Sequence, residues 1–188
     1  MPTPKRQDEA KPIWRRRRVA ILLVSALFVA GIGFSALFNA SIAYTNEMEF
    51  CVSCHTMETV YEEYQESLHF RNQSGVRTTC SDCHVPKPFI PKVVTKTIAA
   101  KDVYHEIFGT IDTDEKFEAR RWEMASRVWA KMERSDSREC RRCHQLDSMD
   151  LSEQGRTARR RHASAEERGQ TCIECHKGVA HDQPLKPR

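Results

Sequence analysis

The sequence predicts a mainly α-helical membrane protein, with one transmembrane helix followed by a single small outer domain that has little regular sheet. Three observations predict it. Positions 19–46 contain no charged residue and are apolar for most of their length. Cys-x-x-Cys-His occurs four times and accounts for all eight cysteines. Positions 91–133 combine helix caps with apolar residues at three- and four-residue spacing.

In chain order, Met1 to Trp14 is polar with three prolines and reads as a short disordered tail, closed by the arginine block Arg15 to Arg18. Residues 1–18 form a basic tail, and 19–44 is long enough to cross a bilayer core as a helix, which takes ~20 apolar residues. A cleaved signal peptide shares the basic start, but its apolar core is only ~7–15 residues. The arginine block places the N-terminus in the cytoplasm by the positive-inside rule. Residues 45–188 are then expected on the periplasmic face of a bacterial cytoplasmic membrane.

The charge follows this division. Residues 1–18 carry a net +5 of a chain total of +4, which leaves −1 for the remainder. The basic balance is a property of the tail and gives no case for binding nucleic acid.

The outer domain is organised by its cysteines. Cys-x-x-Cys-His is the attachment pattern of c-type haem: two thiols one helical turn apart bond the vinyl groups, and the histidine is set beneath the iron. The pattern occurs at Cys51 and Cys54 with His55, at Cys80 and Cys83 with His84, at Cys140 and Cys143 with His144, and at Cys172 and Cys175 with His176. Two zinc cages could use eight cysteines, but zinc gives no reason for histidine to follow the second cysteine each time, and a disulfide framework fails likewise. Four covalently bound haem c groups would also supply the apolar bulk that a chain with 39% hydrophobic residues lacks.

The motifs fall into two halves, about 45–90 and 134–182. In the first, His69 lies between the motifs; in the second, His162 takes that place. This order suggests duplication of a dihaem module. The helices of 91–133 join the halves: Pro91 to Phe108, stopped by Gly109, then a helix opened by a capping box at Asp112 to Glu115. Phe117, Trp122, Ala125, Val128, Trp129 and Met132 form its packing stripe. Low-spin electron-transfer haems need a second strong ligand, and the histidines outside the motifs are His69, His105, His162 and His181.

One N-terminal span, four motifs, Met57 two residues after the first, Gly109-Thr-Ile-Asp-Thr113 and the ending Cys-His-Lys-Gly-Val-Ala-His181 together resemble the NapC/NirT family of membrane-anchored tetrahaem quinol dehydrogenases, over roughly Arg15 to His181. The resemblance implies that Met57 ligates the first haem in place of His55. It also implies that an acidic residue, matched by Asp102, lies over that haem's other face, with a lysine, matched by Lys96, close by. It assigns His181 to the second haem, His69 to the third and His162 to the fourth, and leaves His105 a less favoured ligand. Lys96, Ala99, Asp102 and His105 also form an i+3 ridge on one helix. In that scheme Asp102 takes a quinol proton, while Lys96 orients a quinone oxygen.

The function so implied is oxidation of membrane quinol, menaquinol or ubiquinol, with electrons passed to a periplasmic reductase or its cytochrome subunit, nitrate reductase being the favoured one. No haem motif follows His181, which argues against a longer pentahaem type. A tethered electron wire or haem sensor without a quinol site is the competing reading. The lipid bilayer is the remaining partner, and a homo-oligomer is left open.

Overall fold

The computed structural model describes residues 13–186. Residues 1–12 of the expected tail 1–18 lie outside the described residues. The chain divides into two units after Thr45, and no strand occurs among the described residues.

The first unit is one helix, α1 (Ile13–Tyr44), with a mean hydropathy of 2.4 over its most apolar window. Its 32 residues span about 48 Å at ~1.5 Å per residue, more than the ~30 Å hydrocarbon core. The helix begins ahead of position 19 and takes in the arginine block. Ile13 and Trp14 are therefore helical rather than tail, and the Arg18 guanidinium stacks over the Trp14 ring one turn away at 4.5 Å.

The second unit is built from short helices carrying the cysteine motifs and two long helices between them: α2 (Met48–Cys51), α3 (Glu58–Glu66), α4 (Cys80–His84), α5 (Phe89–Ile107), α6 (Asp114–Arg134), α7 (Arg138–Arg141), α8 (Arg156–His162) and α9 (Cys172–Cys175). Buried apolar side chains among the described residues are few: Tyr64, Ile111, Phe117 and Ile173. So small a core cannot offset the conformational entropy of ordering a domain this long, at ~1–2 kcal/mol per residue for the backbone alone.

Local capping sets the motif helices. In α4 and α9 the residue before the first cysteine, Thr79 or Thr171, forms a capping box with the acidic residue inside the motif, Asp82 or Glu174. The helix therefore starts at the first cysteine, and Cys80 with Cys83, like Cys172 with Cys175, occupies a single helical turn as expected.

The same expectation fails for Cys54 and Cys143, and the structure corrects it. Both lie outside any α-helix, because α2 ends at Cys51 and α7 at Arg141. Cys54 has extended backbone, φ −91° and ψ 134°, and its carbonyl accepts the Met57 N–H at 3.0 Å to open the next turn. Cys143 sits in a turn, its N–H donating to Cys140 O at 3.2 Å and that of His144 to the same oxygen at 2.9 Å. The physical reason is the missing cap. Phe50 and Glu139 stand where the threonines stand in the other motifs, and Val52-Ser53 and Arg141-Arg142 supply no acidic partner inside the motif. The first motif of each half thus closes a helix, whereas the second opens one.

α7 is preceded by its N-cap Ser137, held in the left-handed region with φ 48°. Its fully buried hydroxyl accepts the Ile173 N–H at 3.1 Å, which ties the third motif to the fourth.

The long helices confirm some expected boundaries and shift others. α5 starts at Phe89, two residues before Pro91, which still falls in the first turn, where an N–H has no helical partner. Its end is a Schellman turn: the Gly109 N–H donates to Glu106 O, the Thr110 N–H to His105 O, and Gly109 takes φ 72°. The cap of α6 is Thr113 rather than Asp112, because Asp112 turns to the Lys116 ammonium at 2.7 Å while Thr113 Oγ1 accepts from the Lys116 N–H at 3.4 Å. The stripe of Trp122, Ala125, Val128, Trp129 and Met132 is half-buried. Buried Thr56 donates to Glu106 Oε2 at 2.8 Å, fastening α5 to the first motif.

Candidate haem sites

None of the eight cysteines is taken up by a disulfide, which leaves them all for thioether bonds. Cys54 is half-buried, while Cys143 and Cys175 are exposed.

Three pairs of histidine rings lie close together, one of them edge-on. His84 and His181 have ring centres 6.2 Å apart, His69 and His144 6.1 Å, and His162 and His176 5.8 Å. A metal–imidazole bond is ~2.0–2.1 Å, so two rings on opposite sides of one ion have centres about 6 Å apart. Each pair joins one motif histidine to one of the histidines outside the motifs.

The distal rings are oriented by their other nitrogen. His181 Nδ1 bonds Val60 O at 3.0 Å, His69 Nδ1 lies 3.2 Å from Val179 O, and His162 Nδ1 lies 2.6 Å from Gln154 Oε1. An N–H donated at Nδ1 selects the tautomer whose Nε2 is free to bind iron. Burial, reinforced by facing His181 and by Lys131, lowers His84 to about 4, and burial also lowers His181. Both rings are neutral at pH 7, the form that ligates. His84 nonetheless keeps solvent-accessible surface.

A charged clamp holds the segment bearing His181. Arg121 Nη2 donates to both carboxylate oxygens of Glu63 at 2.6 Å and to Asp182 O at 3.0 Å, and Glu63 in turn accepts the Asp182 N–H at 3.1 Å. Both side chains are nearly buried, 11% and 14% exposed. Arg121→Met leaves Glu63 as an uncompensated carboxylate, and we expect it to cost ~3–5 kcal/mol, measured by denaturant unfolding of the haem-loaded protein. Equal stability would show that the clamp contributes nothing. Arg121, Glu63 and Gln154 carry no motif that marks them in the sequence.

The first motif differs from the others. His55 is 65% exposed and turns to two carboxylates, Glu58 at 3.4 Å and Asp114 at 3.9 Å. Met57 ends the same turn and is half-buried. Cys51 and Cys80 are in hydrogen-bonding contact, and Lys96 lies close enough to help lower the Cys51 thiol. Burial lowers Lys96 itself. Asp102 is exposed on α5. At ~100° per residue, Lys96 and Asp102 stand ~120° apart around α5, and the expected ridge winds round the helix instead of staying on one side. His105 rests edge-on against Tyr104 at 5.7 Å, with its buried Nδ1 lacking a hydrogen-bond partner.

A family model for the N-terminal region of the NapC/NirT cytochrome c family matches residues 14–186. The chain belongs to that family. It is 61% identical over 171 residues to a tetraheme cytochrome c-type protein of Allochromatium vinosum, covering 91% of this chain and 93% of that one. It is 51% identical over 158 residues to the cytochrome c-type protein NapC of Escherichia coli, covering 84% and 79%. It is 50% identical over 175 residues to the denitrification system component NirT of Stutzerimonas stutzeri, covering 93% and 86%. No solved structure matches the chain. As a NapC/NirT cytochrome c it is an electron-transport protein with covalently bound haem, anchored by its N-terminal apolar helix.

Proposed function

We propose that this NapC/NirT cytochrome carries four haem c groups, oxidises membrane quinol at its first motif and delivers electrons to a periplasmic reductase, nitrate reductase being the favoured one. The observation that carries this reading is the division of the four motifs: three histidines paired across about 6 Å and a fourth, His55, turned to solvent carboxylates. The cysteine pairs of each motif would form the thioethers. His84 with His181, His144 with His69, and His176 with His162 would supply the axial nitrogens, and Met57 would serve the first site. When bound, the haems supply one-electron acceptors in series.

The chain's own residues account for binding and protons. Quinol oxidation releases two protons with its two electrons. Asp102, exposed on α5, would receive one at its carboxylate. Lys96 sits half-buried near Cys51, and its ammonium would hold a quinone oxygen. The NapC and NirT relatives support a respiratory setting by their names.

The deciding experiment is the electronic and paramagnetic-resonance spectrum of the haem-loaded protein. One high-spin and three low-spin haems are expected; four low-spin haems would favour a wire without a quinol site. The orientation has its own test. Protease added to intact spheroplasts should digest the haem domain and spare the N-terminal tail, and the opposite pattern would reverse the topology.

A further inference from the structure

We propose that the arginine-rich face of α8 is the docking surface for the electron-accepting partner, a soluble protein presenting an acidic patch beside its redox centre. The inference deepens the proposed function, since it concerns where electrons leave. It rests on a local charge that opposes the domain around it. Residues 156–168 hold Arg156, Arg159, Arg160, Arg161 and Arg168 against Glu166 and Glu167, a net +3, whereas everything after residue 18 sums to −1. A domain that is acidic overall but strongly basic at one place focuses its field there.

The structure keeps these charges available. Among the described residues, no carboxylate forms an ion pair with any of the five arginines. Arg159 spends its N–H groups on the carbonyls of Ser152 and Gln154, and Arg168 on Gln170, Ser164 and the Arg161 carbonyl. These bonds fix position without neutralising charge. Thr157, Arg160, Arg161, Ser164 and Arg168 line a cleft of about 550 Å³, whose guanidinium forks and hydroxyls match the carboxylates of a partner side chain.

Position makes this a docking surface rather than a solvated run. α8 ends in His162, the ring that faces His176 at 5.8 Å, so the cationic cleft adjoins the fourth haem site. The same helix carries both the ligand and the charge. A partner drawn to the arginines is brought to the edge of that site, where a short transfer distance matters most. Attraction of this kind raises the encounter rate and fails as salt screens it.

The test uses the full-length haem-loaded protein in detergent, reduced with dithionite freed of excess, and oxidised plastocyanin as an acidic probe. Each encounter moves one electron to copper(II), giving copper(I), and is followed by stopped flow at several ionic strengths. Arg160→Glu with Arg161→Glu is expected to slow this transfer at least tenfold at low salt and to flatten its salt dependence, while Arg160→Lys with Arg161→Lys retains both. Oxidation by the cationic tris(phenanthroline)cobalt(III) should not slow. Equal plastocyanin rates and slopes in parent and Glu variant would overturn the proposal and leave the arginines to an anionic lipid surface. An equal loss with the cobalt oxidant would overturn it too, by showing damage to the haem site. Reduction by a quinol analogue is measured separately, so a failure of the quinol reading appears there and not in this assay.

Discussion

Asp102→Asn in the haem-loaded protein is expected to slow reduction by a quinol analogue ~10²–10⁴-fold, the usual contribution of a positioned general base. The amide keeps the carboxylate's shape and removes its ability to take a proton. Asp102 lies on the exposed side of α5, so the exchange disturbs no buried contact. Haem content and reduction by dithionite should be unchanged, because no thioether or proposed iron ligand is touched. Lys96→Ala should raise the quinol KM as well as slow turnover. A parent-like rate in Asp102→Asn would remove the proton-acceptor role and return the first site to simple electron relay.

Replacing the distal histidines is expected to have the second large effect. His181→Ala leaves His84 facing an alanine, and one low-spin signal should become high-spin. His69→Ala and His162→Ala should each do the same at a different site. The Arg121–Glu63 clamp gives a control, since Arg121→Met loosens the segment that bears His181 while keeping the histidine. It should broaden or partly convert the His181-dependent signal and leave the His162-dependent one alone. A low-spin spectrum unchanged in His181→Ala would strike that residue from the ligand set.

What could be read in advance was local. The cysteine motifs are five residues long, and the chemistry that defines them needs no partner element. Their backbone was less uniform than their spelling, since Cys83 and Cys175 close a capped helical turn while Cys54 and Cys143 fall beyond the end of one. The difference lies in the flanking residues, which the motif itself does not include. The apolar run from 19 is a property of a single helix, because a bilayer tests each segment for itself. The glycine stop at Gly109 is likewise a local conformational demand, met at φ 72°. The cap at the start of α6 was missed by one residue because Asp112 found another use for its carboxylate in closing the turn with Lys116.

Pairing was not local. His181 takes its orienting bond from Val60, 121 residues away, and His69 from Val179, 110 residues away. No spacing rule relates such positions, since they meet only after α3, α6 and the C-terminal segment have packed. The ridge on α5 shows the opposite limit: a periodicity visible in the sequence says which residues are near in projection, but at 3.6 residues per turn a run of i+3 steps leaves its starting side within two steps. By itself, the sequence determined the number of haem attachment motifs, the helical class and the membrane anchor. The family resemblance already implied which histidine serves which haem; the tertiary structure alone decided what holds each ring and where the basic cleft lies, because those depend on side chains brought together from distant parts of the chain.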